Sequence, residues 1–176
     1  MAATIDATLE GASANSYVTL AEANAYFETT PDDSTWVNKT DDQKNRALIS
    51  ATRFIDDFEF YGDRCTTTQA LKWPRKNYKV DGVKLACTFV PDEVKVGTFE
   101  LARALANNPT ALTGSKGTDG TYEEVKLGDL EVKYNTSSQN PGMINTILDV
   151  FPWVSTYIGP YTMAGAANYA VKLERG

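Results

Sequence analysis

Apolar residues recur at three- and four-residue steps in three stretches of the chain, and each stretch opens with residues that start helices. Leu20, Ala23 and Phe27 follow Thr19, which forms a capping box with Glu22, so a first helix is expected to about Phe27. Pro31, Asp32, Asp33 and Ser34 mark a loop, after which Trp36 is expected to fold back onto the core. A second box, Thr40 with Gln43, precedes the stripe Leu48, Ala51, Ile55 and Phe58, and Asp41 and Asp42 suit the positive end of that helix. Gly62 is placed to end it in the left-handed conformation. Pro74 breaks a short helix begun over 68–72, Asp81-Gly82 is a turn, and 83–90 reads as irregular or briefly extended. Pro91, Asp92 and Glu93 open a third long helix, whose broad apolar face holds Val94, Phe99, Leu101, Ala102, Leu105 and Ala106. Asn107-Asn108-Pro109 stops it, and the Gly-, Thr- and Ser-rich stretch 110–121 is a flexible loop.

The period then changes to two. Val125-Lys126-Leu127-Gly128-Asp129-Leu130-Glu131-Val132-Lys133-Tyr134 alternates in character on either side of Gly128-Asp129, a pair that fits a two-residue II′ hairpin turn. Residues 143–153 suit a fourth helix with Ile144, Ile147, Leu148 and Phe151 apolar, Pro152 near its end and Gly159-Pro160 closing the segment. The fold class is therefore mainly α: a small bundle of about four helices with one β-hairpin at about 123–134 and extended N- and C-terminal arms. The organisation is an arm over 1–15, expected to be mobile or ordered only by a partner, a helical body over 16–160 and a tail over 161–176.

Composition narrows the chemistry. The 176 residues include no histidine and two isolated cysteines, Cys65 and Cys87, with no zinc-ligand spacing. In a reducing cytosol these are expected as free thiols, pairing only if the fold brings them together. Phosphate-binding loops, dinucleotide fingerprints and nucleophile elbows are missing from the sequence. Asp56, Asp57, Glu59 and Asp63 surround a helix end without cation-loop spacing and read as solvated surface. No catalytic residue, cofactor or metal is expected, and so no enzyme. No stretch approaches the ~20 apolar residues of a membrane span, and residues 1–11 lack the pattern of a secretory leader. The expectation is a soluble protein with no membrane partner.

The net charge of −6 is unevenly spread. Residues 1–42 carry eight acids against Lys39 alone, whereas 43–107 carry eleven bases against eight acids. An acidic chain is a poor general binder of phosphate backbones. Within the middle stretch, however, Lys72-Trp73-Pro74-Arg75-Lys76-Asn77-Tyr78-Lys79 interleaves four cations with two aromatics. That set can stack bases and neutralise phosphates of single-stranded nucleic acid, with Lys72, Trp73, Arg75, Lys76, Tyr78 and Lys79 as contacts. The competing reading makes Trp73 a core anchor and the cations a solvated loop. The tail is open to two readings as well: a frayed end, or a docking peptide presenting Tyr161, Met163, Tyr169, Val171, Leu173 and Arg175.

The order of these pieces resembles a known family. Ser16-Tyr17-Val18-Thr19-Leu20-Ala21-Glu22-Ala23-Asn24-Ala25-Tyr26-Phe27 is similar to its opening motif, and Ala47-Leu48-Ile49-Ser50-Ala51-Thr52-Arg53-Phe54-Ile55-Asp56 to its second helix. Gln69-Ala70-Leu71-Lys72-Trp73-Pro74-Arg75 resembles its central signature, with Val90-Pro91, the hairpin and the helix from Met143 following in order. The family comprises small tailed-phage proteins labelled DnaT-like single-stranded-DNA-binding proteins, similar in architecture to head–tail connector proteins. The resemblance implies a phage structural protein, an adaptor ring joining portal to tail and lining the DNA channel in the virion, made in the host cytoplasm. Its implied partners are the portal protein, identical subunits numbering twelve as in the portal, a downstream tail or nozzle protein, and genomic DNA that passes through during ejection without sequence-specific binding. Head-to-tail contact between unlike patches closes such a ring. On this expectation the tail residues dock on the portal, and Leu127, Gly128, Asp129 and Leu130 at the hairpin tip meet neighbours. The alternative is a single-stranded-DNA-binding factor for replication or packaging, acting through residues 72–79.

Overall fold

Both capping boxes close as the sequence predicts. In the computed structural model, which describes residues 3–31, 34–109, 124–127, 130–133 and 151–163, helix α1 spans Leu20–Phe27. Thr19 Oγ1 accepts the Glu22 amide at 3.1 Å while Glu22 Oε2 accepts the Thr19 amide at 2.8 Å. A single helical turn, α2 (Ser34–Val37), then buries Trp36, whose Nε1 donates to Asn24 Oδ1 at 2.9 Å. Helix α3 (Asp41–Asp56) starts from Thr40 and Gln43, and it buries Leu48, Ala51, Thr52 and Ile55. It lies against α4 (Asp92–Asn107), which opens after Pro91 and buries Val94, Phe99, Leu101, Ala102 and Leu105.

The core fills the angle between these helices. Phe27 meets Trp36 at 4.7 Å between ring centroids, and Tyr26 stacks on Phe99 at 4.9 Å. A further helix, α5 (Val154–Ile158), followed by a 3₁₀ turn over Gly159–Tyr161, packs on α4. Gly97 makes this approach close: a Cβ there would stand 3.3 Å from the Tyr157 Cβ.

Five expectations are corrected by the coordinates. Gly62 adopts φ +77° but does not cap α3, which ends at Asp56. Its freedom is needed because a Cβ would overlap the carbonyl oxygen of Lys76. Residues 68–72 form no helix; Gln69 holds them in a loop by accepting the Thr66 amide and donating to the Leu71 and Pro74 carbonyls. Phe151, Pro152 and Trp153, expected at the end of the predicted fourth helix, are not helical, and α5 begins beyond them at Val154 with Trp153 as its N-cap. The predicted helical residues 143–150 lie outside the described residues, as does the predicted loop 110–121.

The fourth correction concerns the arm. Residues 3–15 are tied to the body: the Ala3 amide donates to Asp42 Oδ1 at 2.7 Å, Asn45 Nδ2 to the Ala3 carbonyl at 2.9 Å, and the Ala70 amide to the Gly11 carbonyl at 3.0 Å. Asn15 closes the arm on itself, accepting the Asp6 amide and donating to the Thr4 carbonyl. The fifth is covalent. Cys65 and Cys87 form a disulfide, with Cα atoms 5.7 Å apart across 22 residues of sequence.

Short ladders explain why the cysteines meet. Strand β1 (Asp63–Arg64) pairs antiparallel with β2 (Arg75–Lys76), and β3 (Lys79–Val80) with β4 (Val83–Lys84), so the chain between the cysteines doubles back twice. Asp81 and Gly82, at φ +48° and +82°, give the β3–β4 turn the positive φ at both central residues that a type I′ hairpin requires. The expected hairpin is present as β5 (Glu124–Leu127) and β6 (Leu130–Lys133), with Val125 opposite Val132 and Leu127 opposite Leu130. Its connection is two residues long, as Gly128-Asp129 predicts.

Candidate nucleic-acid interface

The basic octapeptide is partly consumed by the fold. Trp73 is buried, its ring set edge-on to Phe60 at 5.4 Å and to Tyr161 at 5.5 Å, so no base can stack on it. Arg75 is buried too. Its Nε donates to the Tyr61 carbonyl at 2.8 Å, and its terminal nitrogens reach the carbonyls of Phe60, Lys72 and Gly62. A planar fork of donors suits converging main-chain oxygens, which would otherwise be buried without partners. Burial, with the nearby Arg64 cation, lowers the Arg75 pKa. Lys72 closes the C-terminal end of α3: its Nζ donates to the Phe58 carbonyl at 2.8 Å and pairs with Glu59 Oε1 at 3.1 Å.

The rest of the octapeptide faces outward. Lys79 is exposed, while Lys76 and Tyr78 are half-buried. Tyr78 stacks on Tyr61 with ring centroids 4.6 Å apart and planes inclined by 15°. Lys76 Nζ reaches the Cys65 carbonyl at 3.1 Å. The ladders add cations that a linear reading misses. Lys84, exposed, stands directly opposite Lys79 across β3–β4, and exposed Arg64 stands opposite Arg75 across β1–β2. The available signal was the Asp81-Gly82 turn: a two-residue I′ loop fixes the register and makes Lys79 and Lys84 partners. Residues 63–84 hold Arg64, Lys72, Arg75, Lys76, Lys79 and Lys84 against Asp63 and Asp81, a net +4 within a chain of −6.

The other predicted contacts are dispersed. Leu127 and Leu130 sit at the ends of β5 and β6, and Gly128 and Asp129 lie outside the described residues. Tyr161, expected in the docking tail, is a core residue; its hydroxyl donates to Glu93 Oε2 at 2.7 Å and its carbonyl accepts the Tyr61 amide. Met163 is exposed, and Tyr169, Val171, Leu173 and Arg175 lie outside the described residues. A groove of about 690 Å³ runs along α3 over Ala47, Phe54, Leu71 and Leu105, with Arg46 and Arg53 balanced by Asp56 and Asp57, so it carries no net charge. Among the described residues, none cluster as metal ligands, and no helix is long and apolar enough to cross a membrane.

Comparison with known proteins decides the family. All of residues 1–176 match the family described as "Putative DnaT-like ssDNA binding protein". The chain belongs to that family. No curated protein and no solved structure matches it. The DnaT-like family is thus the one expected from the motif order, and its description names DNA; no match names a portal, a tail or a virion component.

Proposed function

We propose that this DnaT-like protein binds single-stranded DNA through its paired basic ladders, with Lys79 and Lys84 at the centre and Lys76 and Arg64 extending the charge. The observation that carries this is the juxtaposition of exposed Lys79 and Lys84 across β3–β4. Like charges placed directly opposite destabilise a ladder. A phosphate bound between them converts that repulsion into attraction, which gives the pairing a use. Trp73, Arg75 and Lys72 leave the contact set, since packing and main-chain oxygens occupy them.

The test is fluorescence anisotropy of a labelled oligo-dT across a salt series. Four phosphate contacts predict a slope of log affinity on log salt of about −3, at about 0.7 per contact. Lys79→Ala with Lys84→Ala should weaken binding and reduce the slope by about 1.4. Unchanged binding by that double variant would remove the basis of the proposal.

A second reading, the head–tail adaptor, is favoured by β5–β6. Among the described residues these two strands pair only with each other, so both outer edges are open to strands from a neighbouring subunit or a tail protein. Its test is the copy number of this chain relative to portal protein in purified particles. Equal numbers support a ring, and absence from the particle rejects it.

A further inference from the structure

We infer that the Cys65–Cys87 disulfide is a redox-controlled clip that sets the order of the basic ladders, and hence the affinity of the site proposed above, on which this inference rests. Cys65 directly follows β1, and Cys87 lies three residues after β4. The bond therefore joins the outer strand of one ladder to the exit of the other, and the segment between them carries Lys72, Arg75, Lys76, Lys79 and Lys84.

Little else holds the second ladder shut. It has two residues per strand, and two-stranded ladders of such length are marginal in water. Its exposed pair is Lys79 with Lys84, which repel, and Val83 opposite Val80 is also exposed. Non-covalent anchoring comes from half-buried Val80 against the core and, at the flanks, from the Tyr78–Tyr61 stack and from buried Leu85, whose amide donates to the Tyr78 carbonyl at 2.8 Å. The disulfide closes this loop covalently and restricts the conformations open to it when the ladder parts. Both cysteines are half-buried, so a small thiol reaches them.

The chemistry is thiol–disulfide exchange. The thiolate of one cysteine attacks a small-molecule disulfide and releases one thiol. The second cysteine's thiolate then displaces the other, forming the Cys65–Cys87 bond with two small thiols as products. A dithiol reductant reverses the sequence and is itself oxidised to a disulfide. In a reducing cytosol the clip is open, and in an oxidising medium it is closed.

The experiment uses the full chain, oxidised with glutathione disulfide or reduced with dithiothreitol, with disulfide content read by intact mass. Trypsin cleavage after Lys79 and Lys84, followed by mass spectrometry, reports ladder order without any DNA. Oxidation should slow cleavage at these two sites by a factor of about ten or more, because cleavage follows the population of the opened segment. The Cys65→Ser, Cys87→Ser double variant should cleave like the reduced protein under both conditions. Oligo-dT anisotropy on the same samples should show tighter binding by the oxidised form. Absence of the disulfide after oxidation, or equal cleavage of both forms, would overturn the clip. Redox-dependent cleavage without oligonucleotide binding in either form would support the clip and overturn the nucleic-acid reading instead.

Discussion

Three tyrosines hold their hydroxyls against carboxylates in part-buried places. Tyr17 donates to Asp56, Tyr26 to Glu100 at 2.8 Å and Tyr161 to Glu93 at 2.7 Å. Burial first, then the adjoining carboxylate, pushes each phenol above its ordinary pKa. The sign follows by linkage. In the unfolded chain these phenols ionise near 10, as ordinary tyrosines do, whereas in the folded chain they stay protonated to higher pH. Their contribution to stability is therefore complete below about pH 10 and declines as the pH climbs from there through the folded-state values. Absorbance titration should show Tyr17, Tyr26 and Tyr161 ionising late, together with alkaline unfolding. Ionisation of these three near pH 10 in a protein that stays folded would contradict their hydrogen bonds to the carboxylates. None of these pairs was legible in the sequence, because their partners lie 39, 74 and 68 residues away.

At the scale of elements, what was legible was what is local. The boxes at Thr19 and Thr40 set the starts of α1 and α3 because donor and acceptor lie three residues apart, within reach of any chain that begins to coil there. Thr19→Ala and Thr40→Ala should each cost about 1 kcal/mol in chemical denaturation, and the double variant should cost their sum. The β5–β6 register was legible for the same reason, since a two-residue turn fixes it. Elements that depend on distant partners were not. The end of α3 was placed too late because its apolar stripe continues through buried Phe58, although the helix has already given way to a turn. Residues 68–72 looked helical, whereas Gln69 satisfies the backbone of this loop in a form that no periodicity encodes. Part of the candidate interface could be read, Lys76, Tyr78 and Lys79, and the rest, Lys84 and Arg64, needed the ladders to bring it near.

For the whole molecule, Trp73 is a keystone. It joins Phe60, which follows α3, to Tyr161, which ends the 3₁₀ turn after α5, so one ring binds parts of the chain about a hundred residues apart. Trp73→Ala should cost about 3–5 kcal/mol, a large share of the 5–15 kcal/mol typical of a domain, while Trp73→Phe should cost much less. Urea denaturation measures both. If Trp73 stacked on DNA instead, the alanine variant would fold with nearly unchanged stability and lose only oligonucleotide binding.

The docked N-terminal residues have a consequence for the order in which the molecule assembles. They run alongside α3 in its own direction, from Ala3 at Asp42 to Tyr17, whose amide donates to Thr52 and whose hydroxyl meets Asp56. Gly11 meets Ala70 on the way. Each of these contacts presupposes a surface made of later sequence: the completed α3 and the loop beyond it. A chain emerging from the ribosome makes residues 3–17 before any of these partners, so the contacts close only once the chain as far as Ala70 has been synthesised and folded. A segment made before its own docking surface is a latch that shuts afterwards.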